Sequence, residues 1–520
     1  MKNILFITAD QWRADCLSCM NHPCVKTPNL DKLAKDGVLF RNHYAQAAPC
    51  GPARASLYTG MYLQNHRIVR NGTPLDARHT NFALEARKCG YDPLLFGYTD
   101  VSPDPRTRAP GDPDLMKYEG VLPGMTPAVL LDSEALPWLT YLKGKGYETP
   151  LGPWEIHKPV ANYPNSENRG PTFAPPHYKA EDSLTAFLTD EVLKYLSIKQ
   201  NRPWFVYLSY LRPHPPFIAP EPYNTMYDPK DIPAPVKAVN ARIESQTHPW
   251  LDHYIGNQRQ KLWYQQKAKD NVKLDGIDVR QIRATYYGLI SEVDHQIGRL
   301  IDFLKENDFY DNTLIIFTTD HGEQLGDHWL FGKSGYFDQS FHIPLIIRDP
   351  EPDARCGQIV EDFTESIDVF PTILDWIEQE IPTQCDGWSL LSYCKGLNPD
   401  LVRTEAHWGY DFRDIEEQKV QQELGLRMDQ CTLNVIRDKK FKYVHFTALP
   451  PLLFDLEKDP NELTDCVDDP KYVSIVRQYS QLLLSWRMQN DERILTNTTV
   501  STKGILERKD PVPSHRSLSS

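Results

Sequence analysis

Five short runs of branched and aromatic residues (Ile4 to Ala9, Leu94 to Tyr98, Trp204 to Tyr210, Leu314 to Thr319, Leu345 to Ile347) are apolar through most of their length instead of at every second position. A strand with apolar side chains on both faces must be covered on both, the situation of a parallel strand buried between helices. The intervening chain supplies helices. From about Ala284 to Asn307, residues Leu289, Ile290, Val293, Ile297, Leu300, Ile301 and Leu304 recur at three- and four-residue spacing, and the chain then enters the Leu314 strand. Leu184, Phe187, Leu188, Val192, Leu193 and Leu196 precede the Trp204 strand in the same way. This alternation predicts an α/β fold, with a large mixed, mostly parallel sheet sandwiched by helices.

The pattern changes along the chain. Pro103 to Pro176 is dense in Pro, Gly and Asp without periodicity and is expected to run over the surface as a long excursion, as loops that cover a site do. Past about Ile381, Cys431 to Arg437 and Phe441 to Phe446 alternate around Asp438-Lys439-Lys440 like an antiparallel hairpin. The expected organisation is a first α/β domain over 1–380, a smaller C-terminal α+β domain with an antiparallel sheet over 381–489, and a polar arm over 490–520 that is disordered or holds another subunit.

Charge and targeting signals exclude some partners. A net charge of −13 over 520 residues repels a phosphate backbone, so nucleic acid is not expected. The run from Ile4 to Ala9 is too short for a signal peptide and no later run reaches membrane-spanning length, which predicts a cytoplasmic protein with no membrane partner and with its 10 cysteines reduced. Cys16-Leu17-Ser18-Cys19 has no second pair to complete a zinc site and reads as free thiols in a loop.

Two of the strands end alike, in Asp10-Gln11 and in Asp320-His321. Ligands of open α/β sheets bind beyond the carboxyl ends of strands, so these four residues are expected to converge. Carboxylate and amide oxygens with one imidazole suit Ca²⁺, Mn²⁺ or Mg²⁺ better than a structural zinc. Either pair alone is more often a polar strand end or a helix cap. A third element is Pro49-Cys50-Gly51-Pro52-Ala53-Arg54, followed by Gly60. Pro52 suits a first helical turn and Gly60 its end, so Cys50 falls at a helix N-terminus, where backbone N–H groups favour an anion and Arg54 adds donors. The plain alternative is a structural cysteine beside a helix.

Cys50-Gly51-Pro52-Ala53-Arg54 resembles the signature at which sulfatase-family maturation enzymes oxidise cysteine to formylglycine, and Asp320-His321-Gly322-Glu323 to His328 is similar to the family's distal metal motif. Asp10 to Asp15, Asp104-Pro105-Arg106, Arg212 to Phe217 and Tyr443 to Phe446 resemble its bacterial arylsulfatase and phosphonate monoester hydrolase branch, and the likeness runs from residue 3 to about 508. The resemblance implies the alkaline phosphatase/sulfatase-like fold, one divalent metal with Ca²⁺ or Mn²⁺ expected, and metal ligands Asp10, Gln11, Asp320, His321 and the converted Cys50. Hydrated formylglycine would attack sulfur or phosphorus with one hydroxyl and release the product through the other. Arg54 and Lys333 would neutralise non-bridging oxygens, His214 would meet the leaving group as general acid or cation, and Asn71 and Tyr98 would touch the transferred group. A formylglycine-generating enzyme, a small anionic ester substrate and a homodimer or homotetramer are implied as partners.

The chain departs from the pattern twice. Many sulfatases carry Asp where Gln11 stands, and the phosphonate-hydrolase branch has threonine where this chain has Asp100. A carboxylate there disfavours dianionic phosphate monoesters while permitting singly charged esters. The expected activity is therefore sulfate ester hydrolysis (arylsulfatase-like), promiscuous toward phosphonate monoesters and phosphodiesters. The alternatives are those latter substrates first, a two-zinc phosphatase, or a non-catalytic anion binder.

Overall fold

The computed structural model describes residues 2–150, 152, 154–198, 202–257, 276–399 and 401–508. Eight strands form the main sheet: β1 (Asn3–Ala9), β2 (Val38–Tyr44), β3 (Pro93–Gly97), β4 (Thr126–Leu130), β5 (Phe205–Tyr210), β6 (Thr313–Thr318), β7 (Leu345–Arg348) and β8 (Gln358–Glu365), in the order β4-β3-β5-β1-β6-β7-β2-β8. Successive side chains of β1 go to opposite faces. Leu5 and Ile7 join one core with Leu208, Phe317 and the long helix, while Ile4 and Phe6 join the other with Tyr207, Ile316 and Phe370. This two-sided burial is what the unbroken apolar runs required.

Among the helices that cover the sheets are α1 (Cys50–Thr59), α2 (Leu184–Ser197), α3 (Gly276–Glu306), α4 (Val369–Trp376) and α5 (Val473–Gln489). The long helix α3 starts earlier than its apolar periodicity indicated, at Gly276.

Two expectations need correction. The Leu345 strand is not parallel: β7 runs antiparallel to both β6 and β2. Between Thr318 and Leu345 only the short turns Asp327–Trp329 and Asp338–Phe341 intervene, so no long crossover helix returns the chain to the sheet's other end and it re-enters at the end it left. The 103–176 stretch is also not all surface excursion. Its Thr126–Leu130 forms edge strand β4, where Pro127 is tolerated, and its helix Leu136–Gly144 buries Trp138 and Leu142.

Beyond the main sheet, β9 (Ala406–Asp411), β10 (Thr432–Arg437), β11 (Phe441–Phe446) and β12 (Leu452–Asp455) form an antiparallel sheet ordered β12-β11-β10-β9. The β10–β11 turn is closed by Asp438, whose side chain accepts from the backbone N–H groups of Lys440 and Phe441. Tyr479, Leu483 and Trp486 of α5 pack on this sheet. A last hairpin, β13 (Thr498–Ser501) and β14 (Gly504–Glu507), leaves Val500, Ile505 and Leu506 exposed. The arm expected over 490–520 continues past 508, outside the described residues. Among the described residues no helix is long and apolar enough to cross a membrane.

Candidate metal and anion centre

β1 and β6 are neighbours in register, Thr8 beside Thr318, so their carboxyl ends deliver Asp10-Gln11 and Asp320-His321 side by side. Helix α1 brings Cys50 to the same place. Its start is fixed by Asn71, whose side-chain oxygen accepts from Gly51 N–H at 2.9 Å, and its end by Gly60, where φ is 68°. Ligating atoms of Asp10, Cys50, Asp320 and His321 all lie within 4.8 Å of one another. Among the described residues no comparable group forms around Cys16 and Cys19, which are free thiols.

The donors are oriented as a cation requires. His321 Nδ1 donates to the Gly322 carbonyl at 3.0 Å, so the neutral ring turns its Nε2 lone pair inward, 3.2 Å from Cys50 Sγ, 3.5 Å from Asp320 Oδ2 and 3.9 Å from Asp10 Oδ1. Burial, against the pull of Asp320, lowers the pKa of this imidazole and favours that neutral form. Asp320 Oδ1 accepts from the backbone N–H groups of Gln11 and His321. Asp10 Oδ1 is buried with no hydrogen-bond partner. An orphaned carboxylate oxygen amid a second carboxylate, an imidazole and the position-50 side chain fits a divalent ion.

The cations are arranged in two tiers. Lys333 Nζ stands 3.0 Å from Cys50 Sγ and donates to Gln11 Oε1 at 2.8 Å, so Gln11 faces the centre through its amide oxygen. Arg54 is placed differently from the expectation that it faces an anion. It is wholly buried, donating to Asp320 Oδ2 at 3.1 Å and Asp10 Oδ2 at 3.2 Å, with Ser209 and Tyr58 taking its other end. The guanidinium thus clamps the two carboxylates from behind. Tyr98 covers it, with the ring 4.3 Å from Cζ and the hydroxyl donating to Asp10.

These charges set the titration of the site. Burial would raise the Asp10 pKa, but His214, Lys333, Arg54 and His321 together hold it far below the usual carboxylate range. Burial, reinforced by Asp10 and Asp320 and opposed by Lys333, pushes the Cys50 thiol well above its ordinary value, so an unconverted cysteine is a poor nucleophile here. His214 is pushed down to about 3 by burial and by Lys333, against Asp10 and the Pro215 carbonyl, which its Nδ1 meets at 2.7 Å. Its resting form at neutral pH is the uncharged imidazole, not the cation the sequence left open. Asp100, at φ 52° and nearly buried, has an oxygen without a partner, and burial, opposed by Arg54 and Lys333 and reinforced by Glu119 and Asp10, raises it to about 7.

Glu323 was missed as a functional residue although it lies three positions after Asp320. Buried beside the centre, it accepts from Gln11 Nε2. Also unforeseen is the buried triad of Arg13, Asp327 and Arg283, which ties the tip of β1 and α3 to the loop after His321.

The sulfatase family model matches residues 2–379, and a model of the C-terminal part of N-sulphoglucosamine sulphohydrolase matches 326–489. The multifunctional alkaline phosphatase superfamily protein PehA of Trinickia caryophylli is 44% identical over 98% of this chain and 99% of its own. The phosphonate monoester hydrolase of Agrobacterium radiobacter superposes with a TM-score of 0.93 at 46% identity, covering 98% of this chain and all of that one. An arylsulfatase of Clostridium perfringens is 27% identical over 96% of this chain and 97% of its own.

Proposed function

This chain belongs to the sulfatase family, and on that premise we propose that it cleaves singly charged esters, phosphonate monoesters and phosphodiesters first and sulfate monoesters second. The observation that carries the reading is the meeting of Asp10, Cys50, Asp320 and His321 within 4.8 Å, with Lys333 set against Cys50. What supports the order is that relatives named for phosphonate ester hydrolysis and multifunctional activity stand at 46% and 44% identity, against 27% for the arylsulfatase.

A divalent ion, Ca²⁺ or Mn²⁺, held by Asp10, Gln11, Asp320 and His321 would supply charge at the transferred group, and Cys50 oxidised by a formylglycine-generating enzyme would supply the oxygen nucleophile. The remaining roles fall to the chain's own side chains. Lys333 neutralises the non-bridging oxygens, and Arg54 keeps the two carboxylates together against their mutual repulsion. Tyr98 holds Asp10 in place, while Asn71 fixes the helix start that presents residue 50. His214 has its Nδ1 proton tied to the Pro215 carbonyl, so its other nitrogen gives a proton to the departing oxygen only once the ring is protonated at both nitrogens. Asp100, once ionised, places negative charge beside the centre and turns away dianions. Assembly as a homodimer or homotetramer through the terminal arm completes the reading, supported by the exposed apolar residues of the β13–β14 hairpin.

A second reading, sulfate esters first, is favoured by Asp100 standing where the phosphonate-hydrolase pattern has threonine. Two measurements test both. A mass spectrum of the Cys50 peptide, from protein made with a maturation enzyme, should show the aldehyde. Rates on matched aryl sulfate and phenylphosphonate esters should favour the phosphonate, and a sulfate rate far above it reverses the order.

A further inference from the structure

A side-chain amide presents either an acceptor or two donors, and only the acceptor end suits a site built for cations. In this structure Gln11 Oε1 is turned toward Lys333 Nζ at 2.8 Å and its Nε2 away, onto Glu323 Oε2. The backbone of Gln11 is anchored too, its N–H on Asp320 Oδ1 at 3.1 Å and its carbonyl accepting from Tyr286 at 2.7 Å, with φ at 69°. The choice of amide orientation therefore falls to the side chains at its two ends, Lys333, which can only donate to the oxygen, and Glu323.

Glu323 is 1% exposed, and its other oxygen, Oε1, accepts from the backbone N–H groups of Leu325, at 3.0 Å, and Gly332. With Oε1 committed to the loop and a carboxylate able only to accept, Oε2 can meet the amino end of Gln11 and not its oxygen. We propose that Glu323 is a positioning residue that locks the Gln11 amide with its oxygen toward the cation site, and that it supplies from behind Gln11 the negative charge the amide lacks. This rests on the metal reading of the centre.

The proposal separates from a merely structural role by a charge-swap rescue. In Glu323→Gln the new side chain keeps Oε1 on the two backbone N–H groups and turns an amino group toward Gln11, whose amide then faces a donor at each end and is no longer locked with its oxygen toward the cation site. In Gln11→Glu with Glu323→Gln, a carboxylate at position 11 accepts both from the new amide at position 323 and from Lys333, restoring an oxygen toward the site.

The experiment is calorimetric titration of Mn²⁺ into the metal-stripped full-length protein, with thermal unfolding of each metal-free variant beside it. Glu323→Gln should lose about 10- to 100-fold in Mn²⁺ affinity, the range for residues that orient ligands. The double variant should return to within about threefold of the parent. Parent-like Mn²⁺ binding by Glu323→Gln, or a double variant no better than the single one, overturns the proposal while leaving the metal reading intact. A parent protein that binds no Mn²⁺ or Ca²⁺ overturns both.

Discussion

Replacing Lys333 by Met removes one charge from the centre while keeping the unbranched stem. Lys333 Nζ lies 3.0 Å from Cys50 Sγ, so a group transferred to residue 50 has this ammonium next to its oxygens. A unit charge pair about 4 Å apart interacts by about 4 kcal/mol at the effective dielectric of 20 that describes protein sites. Losing a single preorganised donor at a developing oxyanion costs about 2.7–4 kcal/mol in measured cases, and the two scales agree. Lys333→Met should therefore lose about 10²- to 10³-fold in kcat/KM. Acid should not compensate: Asp10, Asp320 and the Cys50 side chain outweigh burial and raise the Lys333 pKa above its ordinary value, so the parent is already fully charged. The assay is initial rate on nitrophenyl phenylphosphonate and nitrophenyl sulfate at saturating Mn²⁺, with conversion of Cys50 checked by peptide mass in both proteins. A loss of less than about tenfold at equal conversion and equal metal content would refute the placement of Lys333 at the transferred group.

Asp100→Asn should raise activity on a dianionic aryl phosphate at least about tenfold relative to the phosphonate ester, and unchanged selectivity tells against Asp100 as the discriminating charge. The same variant has a pH signature in the metal-free protein. Because the folded-state pKa of about 7 lies above the ordinary 3.8, the aspartate disfavours folding only once ionised, a cost absent below about pH 4 and complete above about pH 7. Thermal scans should show Asp100→Asn more stable than the parent at pH 8 and equal to it at pH 4. Stripping the metal should lower Tm reversibly, since an ion at about 100 times its Kd contributes about 2.7 kcal/mol, and an unchanged Tm argues against a resident ion. Gly97→Ala should destabilise by about 3 kcal/mol or more in urea unfolding, because φ is 116° there and a Cβ would collide with the Ser209 carbonyl oxygen; a loss below about 1 kcal/mol would mean the backbone yields.

What the sequence disclosed was whatever depends on local pattern. The strand tips at Asp10 and Asp320 were legible because an apolar run ending in a charge marks where a parallel strand meets its crevice, and Pro52 and Gly60 bracketed helix α1. The direction of β7 was not legible, because it is set by the connection: its four residues read alike in either sense. Strand β4 escaped because an edge strand carries only half a core and can include Pro127. Spacing gave Arg54 the reach to an anion, but which of two anions it meets, a bound ester or the pair Asp10 and Asp320, is decided by what lies beneath the helix. Asn71, Tyr98, His214 and Lys333 came from family likeness alone, since each is unremarkable by pattern. The part played by Glu323 depends on which end of an amide faces which neighbour, and no one-dimensional periodicity encodes that.

The reversal of β7 has a consequence for how the centre can be modified. Thr318 and Leu345 are ladder partners, so the chain between them leaves and rejoins the sheet at adjacent points. Asp320, His321, Glu323 and Lys333 all ride on that one segment, whose two ends are held together by strand hydrogen bonds. It is a self-closing module: a designer could exchange it with the corresponding loop of a relative by matching two neighbouring strand ends, and half of the charged equipment would travel as a unit.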